Sequence, residues 1–367
     1  MPPPIDVCIR GAGIVGRTLA LLLARERLRV GLVAGPEPAA GHSDVRAYAL
    51  NTASRALLER VRAWPDETHA TPVLGMEVHG DEGGAVRFSA QAERVAALAW
   101  IADVPALEQQ LAEATRYQPG ITLLAQPEPA ALTVVCEGRA SATRAEFGVQ
   151  FEVTPYGQHA VAARLDCEKP HGQVARQWFA DGEVTALLPL GGAAGNSVAL
   201  VWSVSQQSAA ALMALDPAAF EERLQTASHA ALGRLTLASE RNAWPLQLAR
   251  ADHWCGAGWV LAGDAAHNVH PLAGQGLNLG LADVRELAQV LQGREYWRSV
   301  GDAKLLRRYE RARKPDVLAM GLATDGLQQL FARTEAPWAW ARNWGMKGFE
   351  RSGPLKHWVA RQAMGRL

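Results

Sequence analysis

The sequence predicts a mixed α/β (α+β) chain in which a Rossmann-type nucleotide domain carries an inserted antiparallel β-sheet lobe and ends in a helical C-terminal region. Three observations carry that reading. A short apolar run, Ile5 to Ile9, leads directly into Gly11-x-Gly13-x-x-Gly16 and then into Thr18 to Ala24, which has helical composition. The middle third, residues 150–205, is a succession of short β-type segments, and from Gly276 onward the text turns helical. A βαβ opening joined to a separate β lobe argues against a plain doubly wound sheet.

Each element follows in order. Val30 to Val33 is a second apolar run that stops at Ala34-Gly35-Pro36, so the first stretch forms a βαβ unit. After Asp44 to Leu50, a helix opens near Asn51 to Ser54 and sets Leu57, Leu58 and Val61 on one face. Val73 to Ala99 is strand-like with turn residues at Asp81 to Gly84, and Ala106 to Ala114 is helical. Val134-Val135-Cys136 reads as a buried strand running into Glu137-Gly138. Gln177-Trp178-Phe179, Ala186-Leu187-Leu188 and Val198 to Val204 supply the β lobe. A helix over Pro217 to Leu232 and an apolar strand over Gly258 to Ala262 complete the pass. The expected division is a discontinuous nucleotide domain at 1–66, 100–148 and 250–300, a β lobe at 67–99 and 149–249, and a helical region at 301–367.

Composition removes several classes. Lysine plus arginine (37) balances aspartate plus glutamate (37), so the chain lacks the basic footprint of a nucleic-acid binder. Cys8, Cys136, Cys167 and Cys255 form no C-x-x-C pair, which argues against a zinc knuckle or dithiol site and fits a reducing compartment. No apolar run reaches the roughly 18 residues of a membrane span. The N-terminus leads straight into a strand pattern, so a cytoplasmic protein is expected rather than a secreted one.

The turn at Gly11, Gly13 and Gly16 brings backbone close to a pyrophosphate, while the helix that starts there aims free N–H groups and its positive dipole end at the phosphate charge. An acidic residue ordinarily closes the second strand and bonds the adenosine ribose. Here Ala34-Gly35 occupies that place and Glu37 is the nearest carboxylate, so Glu37 is the candidate to reach back.

The most specific string runs from Gly263-Asp264-Ala265-Ala266-His267 through His270-Pro271-Leu272-Ala273-Gly274-Gln275-Gly276-Leu277-Asn278-Leu279-Gly280. It resembles the second flavin motif of the monooxygenases built on the p-hydroxybenzoate hydroxylase fold, and more closely that of the ubiquinone-biosynthesis hydroxylases. The resemblance implies FAD. In physical terms Asp264, at a strand end, accepts hydrogen bonds from ribityl hydroxyls, and Gly274, Gln275, Gly276 and Leu277 supply backbone N–H groups at a helix start, where charge develops on reduced flavin. Gly263 and Asn278 belong to the same cofactor set. His270, Pro271 and Gly274 are the expected lining of the reactive flavin face. His267 and His270 lack further ligands nearby, so no metal is expected.

The similarity covers nearly the whole chain. Asp44-x-Arg46-Ala47-Tyr48-Ala49-Leu50 resembles the segment that places an arginine beside the cofactor, where Arg46 would complement the pyrophosphate. Glu137-Gly138-x-x-Ser141-x-x-Arg144 resembles the Asp-Gly motif that links cofactor binding to reduction by NADPH or NADH, with Glu137 in place of the usual aspartate. Only 25 residues separate Leu111 from Glu137, fewer than the resemblance implies, and the missing part is where relatives carry a small β-meander. Tyr309-Glu310-x-x-Arg313 and Ala323 to Phe331 also follow the ubiquinone branch. Trp338, Trp340, Trp344 and Trp358 crowd the C-terminal region; helix packing is the ordinary reading, with a lipid-facing or partner-facing patch as the other.

The family reading is hydroxylation of an aromatic ring by O2 and NAD(P)H through a flavin hydroperoxide, with a small aromatic substrate, prenylated in the ubiquinone branch. Partner readings left open are peripheral association with the inner membrane, a biosynthetic complex and a homo-oligomer. Two alternatives stand beside it. One is a flavin monooxygenase for another aromatic compound; a halogenase is disfavoured because Trp338-Ala339-Trp340-Ala341 continues as Arg342-Asn343. The other is an accessory flavin-binding subunit, on the warrant of Ala34, Glu137 and the shortened stretch.

Overall fold

The computed structural model describes residues 5–35, 44–80, 83–268 and 276–332, with isolated positions at 348, 352–353, 357 and 361. Glu37, His270, Pro271, Gly274 and Gln275 lie outside the described residues, as do Trp338, Trp340, Trp344 and Trp358.

The N-terminal run forms the strand Val7–Arg10, which pairs in parallel with Val30–Val33 on one side and Leu132–Val135 on the other. Ile121–Leu124 and Trp259–Leu261 extend this parallel sheet, and Cys255–Gly256 closes one edge as its antiparallel strand. Because helices cover it, the strands read as continuous apolar runs rather than alternating ones. Leu19 and Leu23 of the helix Ile14–Arg25, Leu107 and Leu111 of Val104–Arg116, Leu287 of Gly276–Gln292 and Tyr309 of Ala303–Ala332 share one core with Ile9 and Leu32. Each such leucine contributes roughly 1.5–3 kcal/mol by leaving water.

The middle third forms a nine-stranded sheet whose long strand Phe151–Cys167 pairs antiparallel with Ser197–Ser205 and Asn242–Ala251. Glu183–Leu190 and Val174–Ala180 continue it. The far edge departs from a purely antiparallel lobe: Gly75–His79 joins Val174–Ala180 in parallel and carries Ala85–Ser89 with it. The reason is connectivity, since residues 75–89 come from a different stretch of chain and add to an existing edge.

Strand periodicity gives the sheet two faces. Val161, Leu187 and Trp202 point to one side, where Phe220 and Leu224 of the helix Pro217–Ala227 cover them. That helix ends at Ala227 rather than at Leu232, because His229 and Ala230 adopt left-handed φ of 50° and 49°. Ala160, Ala162, Ala186 and Ala199 lie on the opposite face, toward the nucleotide-binding half.

A small sheet of Ala47–Leu50, Ala99–Asp103 and Ala70–Val73 bridges the two halves. There Val73 and Ile101 pack against Ala175, Leu190 and Ala199, and Arg164 Nη1 donates to Asp103 Oδ2 at 2.6 Å. In the shortened stretch, the helix Val104–Arg116 is followed by the edge strand Ile121–Leu124 and, after residues 125–131, by Leu132–Val135. It holds no β-meander among the described residues.

Candidate functional site

The glycine turn is dictated by contact. Gly11 has φ of 111°, and a Cβ there would lie 2.4 Å from the Cys136 carbonyl oxygen. A Cβ on Gly16 would come within 1.9 Å of Gly11 O, so the first turn of the helix presses directly on the loop. Gly13, the residue preceding that helix, is the contrary case: nothing stands within 4 Å of its Cβ position, and it faces a cavity. Arg17 braces the turn from behind, donating from Nε to Ala12 O at 2.6 Å and from Nη1 to Thr115 Oγ1 at 2.9 Å.

The cavity holds about 600 Å³ and lies between the nucleotide-binding half and the β lobe. Gly13, Arg46, Glu108, Asp264, Gly276 and Leu277 line one side. Arg46 is locked by Asp44, with Nε to Oδ1 at 2.8 Å and Nη2 to Oδ2 at 2.6 Å, and Glu108 stands 3.6 Å away. The Asp44 hydrogen bond raises the arginine's pKa. Burial pushes the Asp44 carboxyl up, but hydrogen bonds from Arg46 outweigh it and hold the group low. Burial likewise raises Glu108. Asp264 sits on the turn Gly263–Ala265 with, among the described residues, one long side-chain hydrogen bond, from Asn268 Nδ2 at 3.4 Å, and burial raises its pKa. A carboxylate with spare acceptor capacity beside an open helix N-terminus suits a dinucleotide with a polyol tail, so these residues fit FAD.

Behind the turn lies a charged hub that sequence reasoning missed. Asp283, fully buried, accepts from Gly263 N at 3.0 Å, from His267 Nε2 at 2.6 Å and from Arg313 Nε at 2.8 Å. Burial opposes its ionisation, yet His267 and Arg313 together hold its pKa below the ordinary carboxylate value. His267 also packs its ring 5.0 Å from Trp254. A signal was available: Asp283 falls four residues after Leu279 and four before Leu287 on a buried helical stripe, and a carboxylate there needs partners.

Two members of the expected cofactor set turn away from the cavity. Asn278 donates from Nδ2 to Ala49 O at 2.8 Å and accepts at Oδ1 from Asn51 N at 3.0 Å and Ser54 Oγ at 2.7 Å, so its side chain stitches the Gly276–Gln292 helix to the corner after Ala47–Leu50. Glu137 accepts from Ser141 Oγ at 2.7 Å and Thr143 Oγ1 at 2.6 Å, with Arg10 Nε at 3.3 Å. Those bonds outweigh burial and lower its pKa. Next to it Arg144 donates to Arg139 O at 2.6 Å and to Ala265 O at 3.1 Å, its guanidinium 3.6 Å from the Phe151 ring centroid. The Glu137-Gly138 loop is thereby pinned to the turn that carries Asp264, while its neighbours Gly138 and Arg139 line the cavity.

Comparison with known proteins gives the family. Residues 127–321 match the family model described as FAD binding domain. The ubiquinone hydroxylase UbiL of Rhodospirillum rubrum is 33% identical over 391 residues, covering 99% of this chain and 90% of that protein. The 3-demethoxyubiquinol 3-hydroxylase of Escherichia coli is 30% identical and covers 99% of each chain. Among solved structures, pqsL of Pseudomonas aeruginosa, titled a probable FAD-dependent monooxygenase, superposes with a TM-score of 0.75 at 22% identity over 94% of this chain and 100% of that one; this likeness concerns the fold.

Proposed function

Because the chain belongs to the FAD-dependent hydroxylase family of ubiquinone biosynthesis, we propose that it hydroxylates the ring of a polyprenylated phenol precursor of ubiquinone, with NADPH or NADH as electron donor and O2 as oxidant. The observation that carries this reading is a single cavity running from Gly13 and Asp264 to an alanine-rich wall of the β lobe. When bound, FAD would supply the redox chemistry: two-electron reduction by the nicotinamide and activation of O2, with one oxygen atom entering the ring and the other leaving as water with a proton from solvent.

The protein binds, orients and keeps the site dry. The helix N-terminus beyond Gly13 and the Arg46 guanidinium would hold the pyrophosphate, and Asp264 would take hydrogen bonds from the ribityl chain. Asp283 fixes the Gly263 amide and so the direction in which Asp264 points. Ala160, Ala162, Ala186 and Ala199 form an apolar wall that shields the reacting ring from water. His270, Pro271 and Gly274 remain the proposed lining of the flavin face. None of the described helices is long and apolar enough to cross a membrane.

The test is anaerobic reduction of the FAD-loaded protein. NADPH or NADH is expected to bleach the flavin, a prenylated phenol to accelerate the bleaching, and readmitted O2 to yield hydroxylated phenol. Tight FAD binding that answers to artificial reductants but to neither nucleotide, with a panel of prenylated phenols present, would replace the hydroxylase by an accessory flavoprotein.

A further inference from the structure

The β-lobe wall of the cavity carries Arg176, Trp244 and Gln247 on its flanking strands and, between them, a mostly apolar surface with isolated polar points. Cross-strand register aligns Gln177, Ala186, Val201 and Ala162 in one row across four strands. The next row holds Val184, Ser203 and Ala160. All seven line the cavity, whereas their chain neighbours Leu187, Trp202 and Val161 are buried on the opposite face of the sheet. Gln177 therefore stands one row and two strands away from Ser203, roughly 12 Å between Cα atoms by ordinary strand spacing.

Ser203 is buried, and neither its hydroxyl nor the Gln177 amide has a protein hydrogen-bond partner among the described residues. Both belong to strands whose other cavity-facing side chains are mostly alanine, valine and leucine. Polar groups kept in an apolar wall without a protein partner hold their hydrogen-bonding capacity for what enters, and a few such groups set orientation in an otherwise greasy site. Gln177 brings a donor and an acceptor, and Ser203 can play either part. A six-membered ring with oxygens on opposite edges, and one hydrogen bond of about 2.8 Å at each, matches the span between them.

We propose that Gln177 and Ser203 are the specificity-determining residues of this cavity, reading oxygen substituents on opposite edges of the aromatic ring. The inference rests on the hydroxylase reading and deepens it. It assigns recognition of the ring to two side chains of the sheet, and leaves the alanines between them to accommodate shape alone.

The test uses FAD-loaded protein and three probes of similar size: 4-methoxyphenol, 4-methylphenol and 1,4-dimethylbenzene, each titrated through the perturbation of flavin absorbance. Wild-type protein is expected to prefer 4-methoxyphenol to 1,4-dimethylbenzene by about 100-fold, and Gln177→Met and Ser203→Ala each to reduce that preference about tenfold, each lost hydrogen bond being worth roughly one decade. FAD content and the 1,4-dimethylbenzene dissociation constant should stay unchanged, and Ser203→Thr, which keeps the hydroxyl, should retain the preference. Should Gln177→Met fail to retain FAD, Gln177→Asn shortens the reach and is expected to lose the same selectivity. Variants that discriminate as the wild type does, or that weaken all three probes by one common factor, overturn the role of the pair while leaving the hydroxylase reading in place. A wild-type protein that binds none of the probes overturns the pair as readers of the ring, while the hydroxylase reading is decided separately by nucleotide-dependent bleaching with a prenylated phenol.

Discussion

The two sides of the cavity are built by opposite rules. On the nucleotide side, nearly every polar group is tied to another: Arg46 to Asp44, Asn278 to three backbone and side-chain groups, and Asp283 to three donors at once. On the β-lobe side, Gln177 and Ser203 stand without side-chain hydrogen-bond partners among the described residues, in a mostly apolar stretch of wall. The first arrangement suits a cofactor that every turnover uses in the same pose, because donors fixed in advance need no reorganisation when charge appears. The second suits a substrate that must enter, turn and leave.

The largest effect should come from breaking the hub. Replacing Asp283 by Ala removes the buried carboxylate shared by His267 and Arg313 and leaves Arg313 only the exposed Asp316 as a carboxylate partner, a loss of about 3–5 kcal/mol for a buried pair. The variant is expected to melt far below the wild type and to purify without FAD; thermal denaturation and the flavin spectrum check both. A shift of only a degree or two would mean that the nucleotide side is not held by its buried charges.

The glycine turn sharpens the contrast within a single loop. Gly16→Ala drives a methyl into the Gly11 carbonyl and should abolish FAD retention. Gly13→Ala meets open space and should leave the melting temperature of the apoprotein unchanged while weakening FAD, since the methyl intrudes where the phosphates approach. Fluorescence titration of FAD into both apoproteins separates these outcomes.

Next in size is Asp264→Asn, which keeps shape and removes charge. About a tenfold weaker FAD dissociation constant is expected, close to 1.4 kcal/mol, with no loss of apoprotein stability. Ala186→Leu should be milder still for the cofactor: FAD affinity unchanged, but a higher KM for the phenol as the blank wall thickens. Equal damage to FAD binding from Ala186→Leu would erase the distinction between the two sides.

The smallest effect is a pH dependence. Asp283, Glu137 and Glu310 are all held below their ordinary values in the folded state. The stability they confer is therefore complete above the unfolded carboxylate range near about 4 and is lost as pH falls through the folded values. Asp264, raised by burial, works the other way in the apoprotein. The melting temperature should accordingly fall on acidification below about pH 4, and Asp283→Asn should flatten that fall.

What sequence alone disclosed follows the same division. Gly11 and Gly16 are readable because backbone contacts leave no room for a Cβ there, and Asp264 is placed by sequence at the turn where the structure has it. Asn278 and Glu137 were read within the same strings, but a motif states which residues occur and not where a side chain turns; their partners Ala49, Ser54, Ser141 and Thr143 emerge only when distant or looping segments meet. Asp283 escaped because a single carboxylate within a helical text looks like a solvated one until its stripe is known to be buried. The rows holding Gln177 and Ser203 depend on strand register, and pairing across separate strands is not a local property of either segment.

One helix joins the two sides. Val104–Arg116 is capped by Asp103, which is paired to Arg164 of the long β-lobe strand, and carries in its last turn Thr115, which takes a hydrogen bond from Arg17 under the glycine turn. Thirteen residues of α-helix make a rod roughly 20 Å long, stiff along its axis, with the ring-binding wall anchored at one end and the phosphate-binding turn at the other. The length of that rod fixes how far the Arg164 strand of the lobe stands from the glycine turn, so the two walls of the cavity are gauged against each other by one helix.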